Sequence, residues 1–154
     1  MLTIRTLEKI KLGSRITFYN GIFAILCGIA YIGLMKFLAI VDFEGINAFW
    51  NVFSKYNPEI SSLYFKLMIM KAIFMIFAGI SIIYLSMDIM KRKEKVTWIN
   101  LFLLGLIFWP SFLIIEIFNK NIFTIAISLI GWLSFLIGMI FPIRYFMQDD
   151  YSEE

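Results

Sequence analysis

Four long stretches of this chain carry no charged residue, and that spacing constrains the fold more than any motif does. They are Ile16 to Met35, Ala72 to Met87, Val96 to Ile115 and Asn121 to Ile143. A helix crossing a hydrocarbon layer of ~30 Å needs about 20 apolar residues at 1.5 Å each. The pattern predicts four transmembrane helices over about 16–41, 63–90, 96–118 and 121–145. The second is longer than its charge-free centre. Lys66 and Lys71 extend it, because a lysine stem lies along apolar surface while the ammonium reaches water. The expected fold class is an all-α integral membrane protein, a four-transmembrane-helix bundle in one domain over residues 1–154.

Composition supports this. Of 154 residues, 61% are hydrophobic and 16% charged, against about half and a quarter in soluble domains. The net charge of +3 does not mark a nucleic-acid binder. The basic residues flank apolar runs, and no basic stripe with interleaved aromatics exists. The charged start, with Arg5, Lys9, Lys11 and Arg15, resembles that of a signal peptide. The apolar run behind it is too long for one, and no small-residue cleavage site follows. It is read as a retained first span.

Sidedness follows from the distribution of lysine and arginine. The N-terminal arm holds four basic residues, and the turn Lys91-Arg92-Lys93-Glu94-Lys95 holds four more. The other side has Lys55 and Lys120 in its loops, against Asp42, Glu44 and Glu59. The positive-inside rule places both termini in the cytoplasm. Heavy use of Ile, Lys, Phe and Asn suggests an AT-rich prokaryotic genome, hence a plasma membrane. The run Lys91, Arg92, Lys93 and Lys95 is a candidate contact for anionic lipid.

The outer loop, residues 42–62, is the one long connection. Phe43, Ile46, Trp50, Phe53 and Tyr56 recur every three to four residues, which predicts a short interfacial helix. Asn57-Pro58 should end it, since a residue before proline avoids the helical region. Asp42, Glu44 and Trp50 are its candidate interface residues. Small residues form one stripe in three of the spans: Thr17, Gly21, Ala24 and Gly28; Ala72, Gly79 and Ser86; Thr124, Ser128, Gly131 and Gly138. Such stripes mark close helix contacts, within the chain or between copies. Pro110 predicts a kink in the third span.

Histidine is absent, and Cys27 is the single cysteine. An intramembrane Ser–His protease, a dithiol enzyme and a histidine-based metal or haem site are therefore excluded. No cofactor and no metal is expected. A carboxylate pair from Asp42 or Glu44 with Glu116, or a Ser–Lys dyad from Ser61 or Ser62 with Lys66, lacks the surrounding polar motifs. Span one holds no acid, unlike small exporters with a carboxylate deep in the first helix.

Ionisable residues inside spans are costly and so become functional candidates. Lys36, Lys71 and Glu116 fall in the same leaflet. They predict either a polar ligand or ion pocket under the outer loop, with Lys71 paired to Glu116, or snorkelling side chains that only anchor helix ends at the outer interface. Phe112, Trp109 and Gly105 follow Glu116 down its face, and the glycine is expected to leave room for an apolar tail. Asp88 is expected to pair with Lys91 or Arg92. The expected function is a non-catalytic membrane protein that binds a partner or lipid. The alternatives are a transporter or channel subunit using Lys71 and Glu116, and a membrane enzyme acting on lipid or peptide. The expected partners are the lipid bilayer and another membrane protein or a second copy.

Overall fold

A computed structural model describes residues 4–147. The acidic tail Asp149 to Glu154 and the side chain of Arg5 lie outside the described residues. Among the described residues all regular structure is helical. The helices are α1 (Ile4–Gly33), α2 (Met35–Gly45), α3 (Trp50–Tyr56), α4 (Pro58–Arg92), α5 (Lys95–Asn119) and α6 (Ile122–Met147). Four of them are long and apolar enough to cross a membrane: Leu7–Gly33 within α1, then α4, α5 and α6. A helix satisfies all its internal backbone groups without water, as hydrocarbon requires.

Local chemistry sets the ends. Pro58 opens α4, where its missing N–H is one of the unpaired donors of a first turn. Asn57 before it has φ −132°, outside the helical region as a residue preceding proline should be. The expected stop of the loop helix therefore falls at Asn57, and the same residue caps the next helix. Lys93 (φ 57°) and Lys120 (φ 55°) adopt left-handed backbone to end α4 and α5. Their N–H groups bond Ile89 O at 3.0 Å and Ile117 O at 3.1 Å. Asn121 then caps α6, its Oδ1 accepting the Thr124 N–H at 3.3 Å. Pro110 lies inside α5, which continues through it as one helix.

Two expectations are modified. The stretch 16–41 is not one helix. It divides at Leu34 (φ −107°, ψ 13°) into α1 and α2, and α1 begins well inside the charged N-terminal arm. The outer-loop stripe also divides. Asn47 at φ 58° turns the chain, so Phe43 sits on α2 while Trp50 and Phe53 sit on α3. These three rings, with Tyr64 and Phe65 of α4, form one aromatic cluster at centroid distances such as 4.9 Å and 5.1 Å. Ile46 stays exposed because the turn takes it off the face of Trp50 and Phe53, and Tyr56, the last residue of α3, is exposed as well.

Each long helix packs against two others: α1 on α4 and α6, and α5 on α4 and α6. The small-residue stripes make the close contacts within the chain. A β-carbon added to Gly21 would lie 2.8 Å from Gly79 O, and one added to Gly138 would lie 2.7 Å from Thr17 Cγ2. Between α5 and α6 the fit is reciprocal. The Trp109 ring fills the space over Gly131, and the Phe135 ring fills the space over Gly105. Both rings are fully buried. The outward faces are the reverse of a soluble protein's. Phe74, Phe77, Ile107 and Ile122 are 66–81% exposed, an apolar surface far larger than water tolerates.

Candidate functional site

In hydrocarbon a polar side chain must find its partner on a neighbouring helix. Several such clusters join the helices. The first is centred on Glu116 of α5, which is 1% exposed. Its Oε1 accepts the Tyr31 hydroxyl of α1 at 2.7 Å and the Lys71 ammonium of α4. Its Oε2 accepts the Thr124 hydroxyl of α6 at 2.6 Å. One carboxylate thus ties all four long helices. Lys71 also donates to the Tyr31 oxygen at 3.2 Å. Its ammonium lies 4.5 Å from the Tyr31 ring centre and 5.6 Å from that of Phe112, within cation–π reach.

Next to this cluster Asp42 of α2 is half-buried. Its Oδ2 accepts the Tyr64 hydroxyl at 2.5 Å and its Oδ1 accepts the Asn121 amide at 2.6 Å. The end of α2 also rests on the α5–α6 turn. A β-carbon on Gly45 would lie 2.8 Å from Asn119 O, so no side chain fits there. Deeper in the molecule, Asn20 of α1 accepts the Trp109 indole N–H at 3.0 Å. It donates to Gly131 O at 2.7 Å and Ser134 Oγ at 2.8 Å. Towards the α4–α5 turn, Ser86 donates to Thr17 at 2.8 Å. Asp88 pairs with Arg92 at 3.1 Å and accepts Thr97 at 3.0 Å.

Asn20 holds three groups at once, so its removal has a readable consequence. Asn20→Ala leaves the buried Trp109 N–H without an acceptor. It is expected to destabilise the protein by about 1–3 kcal/mol, measured as a lower thermal midpoint in detergent. Asn20→Asp, which keeps the acceptor, should lose less of the Trp109 contact but buries a charge. An Asn20→Ala midpoint equal to wild type would show that the cluster holds nothing together.

Beside Lys71 a cleft of about 500 Å³ opens between α4 and α5. Its walls are almost wholly apolar, including Leu67, Met70, Phe74, Leu104, Ile107 and Phe108. Asp42, Lys71, Ser111 and Asn119 supply its polar positions. The cleft extends from Tyr64 to Ala78 along α4, ~21 Å at the helical rise of 1.5 Å per residue. Its volume falls within the ~300–1,000 Å³ of small-molecule sites.

The structure distributes the sequence candidates unevenly. Lys71, Glu116 and Phe112 meet. Trp109 is buried in the Asn20 cluster, against Gly131 and Phe23. Lys36 is exposed on α2 and makes no ion pair among the described residues. Of the loop candidates, Glu44 is exposed, Asp42 turns inward and Trp50 is buried at 7% exposure in the aromatic cluster. The room expected beside Gly105 is absent, because Phe135 of α6 occupies it; the open space lies on the α4 side of α5. In the α4–α5 turn Lys91, Arg92 and Lys95 are exposed and Lys93 is partly so. Arg92 is shared between Asp88 and Glu94.

Tyr31, Asn20, Asn121 and the second role of Thr124 were not singled out by sequence reasoning. An uncharged polar residue amid an apolar run, such as Asn20, was the available signal. Among the described residues no group of three metal-ligating side chains occurs. Compared with protein-family models, with curated proteins and with solved structures, the chain matches none.

Proposed function

We propose that this is a small integral membrane protein, a four-transmembrane-helix bundle without catalytic activity, whose α4–α5 cleft holds the apolar tail of a lipid. In this reading both termini are cytoplasmic. The basic N-terminal arm and the Lys91–Lys95 turn then face the cytoplasm, and α2 and α3 cap the outer end. A prokaryotic plasma membrane suits the residue usage. The observation that carries the reading is the cleft itself: an apolar furrow open to the side of the molecule, with an aspartate near its Tyr64 end and a lysine midway along α4. An acyl chain lying there would cover apolar side chains such as Leu67, Met70, Phe74 and Ile107, which are exposed in the chain alone.

Ser111 tests this. It is exposed, lines the cleft and bonds only the carbonyl of Ile107 in its own helix, at 2.6 Å. Ser111→Phe fills the furrow and leaves the Glu116 and Asp42 clusters untouched. It is expected to weaken lipid retention about tenfold or more, the equivalent of ~1.4 kcal/mol, with an unchanged thermal midpoint. The readout is native mass spectrometry of protein purified in mild detergent. Equal lipid retention by the variant and wild type would sink the reading.

A second reading, a transporter or channel subunit, draws on one contrast. The Lys71 side chain is 17% exposed while that of Glu116 is 1% exposed, so one partner of the pair faces the cleft and the other is sealed. It requires ion or solute flux across reconstituted vesicles that Glu116→Ala abolishes.

A further inference from the structure

The polar end of the cleft carries both signs of charge, and neither is fully engaged. Lys71 has three N–H donors. Two go to Glu116 and Tyr31, and the third has no partner among the described residues. Asp42 has about four lone-pair positions. Two take neutral donors, Tyr64 and Asn121. No lysine or arginine forms an ion pair with Asp42 among the described residues. Both side chains line the same cavity, whereas Glu116, which cancels the lysine's charge, does not. What remains at the mouth is one donor on Lys71 and one negative charge on Asp42.

We infer that the cleft selects a zwitterionic phospholipid with a primary ammonium headgroup, of the phosphatidylethanolamine type, its phosphate on Lys71 and its ammonium on Asp42. This rests on the reading of the cleft as a lipid site. The complementarity is of two kinds. The phosphate oxygen accepts the third N–H of Lys71, and the ammonium donates to a carboxylate that forms no ion pair among the described residues. A purely anionic headgroup would bring its phosphate to Lys71 beside Asp42 with no ammonium to offset that carboxylate. A choline headgroup carries the positive charge but has no N–H to donate. From Lys71 to Ala78 the furrow runs ~10 Å along α4, and it takes the upper part of an acyl chain behind such a headgroup.

The test uses the wild-type protein in mild detergent with phospholipids of matched chains, competed pairwise and read by native mass spectrometry. Ethanolamine lipid is expected to be preferred over choline lipid by about tenfold, the worth of one charge-assisted hydrogen bond. The preference should fall stepwise through the mono- and dimethylated headgroups, a series that needs no variant. Asp42→Asn should bring the ethanolamine-to-choline ratio near one. A preference for glycerol headgroups, or equal binding of all headgroups in a cleft that Ser111→Phe still blocks, overturns the headgroup assignment and leaves the lipid reading standing. If no phospholipid is retained in a Ser111-dependent way, the lipid reading fails and this inference fails with it.

Discussion

Glu116→Ala is expected to destabilise the folded protein by about 3–5 kcal/mol, the usual consequence of stranding one partner of a buried ion pair. Three donors lose their acceptor together. The Lys71 ammonium is left with the Tyr31 oxygen and two aromatic rings beside it. The hydroxyls of Tyr31 and Thr124 lose the carboxylate they share. Since Tyr31, Lys71, Glu116 and Thr124 sit on α1, α4, α5 and α6, the loss loosens contacts between all four. The measurement is the thermal midpoint in detergent by size-exclusion chromatography. Adding Lys71→Met to Glu116→Ala removes the stranded charge and should recover a large part of the loss, since apolar replacements of buried ion pairs are often near neutral. A double variant no more stable than Glu116→Ala would show that the charge itself is not what the fold depends on.

The second large effect belongs to the α1–α4 contact. Gly79→Val is expected to cost about 3 kcal/mol, the upper end of the usual overpacking penalty. A β-carbon at Gly79 would stand 2.6 Å from Gly21 O, 2.7 Å from Ile25 Cγ1 and 3.0 Å from Ile25 N. One of these obstacles is a side chain and two are backbone. Trimming the side chain with Ile25→Ala therefore should not rescue Gly79→Val, because the carbonyl of Gly21 cannot move without shifting the whole helix. Full rescue by Ile25→Ala would mean that α1 and α4 are not held as close as the glycines allow. Gly33, by contrast, has nothing near its missing side chain, so Gly33→Ala serves as the silent control.

The four long helices were legible because charge is absent over stretches long enough to cross a membrane, a property of composition that needs no partner. Lys71 and Glu116 stood out for the complementary reason: a charge within such a stretch is costly and demands an account. Their surroundings were harder to read. A helix that is apolar all round does not reveal which face is buried. The rotations that bring Tyr31 and Thr124 onto Glu116 are decided by glycine contacts on other helices. Gly105 shows the limit most clearly. In its own sequence it reads as a gap beneath two aromatics, and only the arrival of Phe135 from α6 reveals that the gap is filled. The cleft lies elsewhere, between α4 and α5, and a gap between two helices leaves no local mark in either sequence. The loop stripe failed for a different reason. Its periodicity is real over short distances, but a left-handed Asn47 interrupts it.

The Lys71–Glu116 pair also bears on how the chain reaches the bilayer during synthesis. A charge within a lone membrane helix raises the energy of insertion, by about 2.5–3.5 kcal/mol for a lysine at the helix centre and by less towards its ends. The segments carrying the two charges are consecutive, α4 and then α5, joined by the turn at Lys93 and Glu94. They are therefore best released into lipid as one hairpin, with opposite charges neutralised at the moment of exit. The hydroxyl of Thr124 arrives only with the final helix. The nascent polypeptide thus holds a provisional, partly satisfied carboxylate until its last quarter emerges, and truncation before α6 should leave a product marked for quality-control proteolysis.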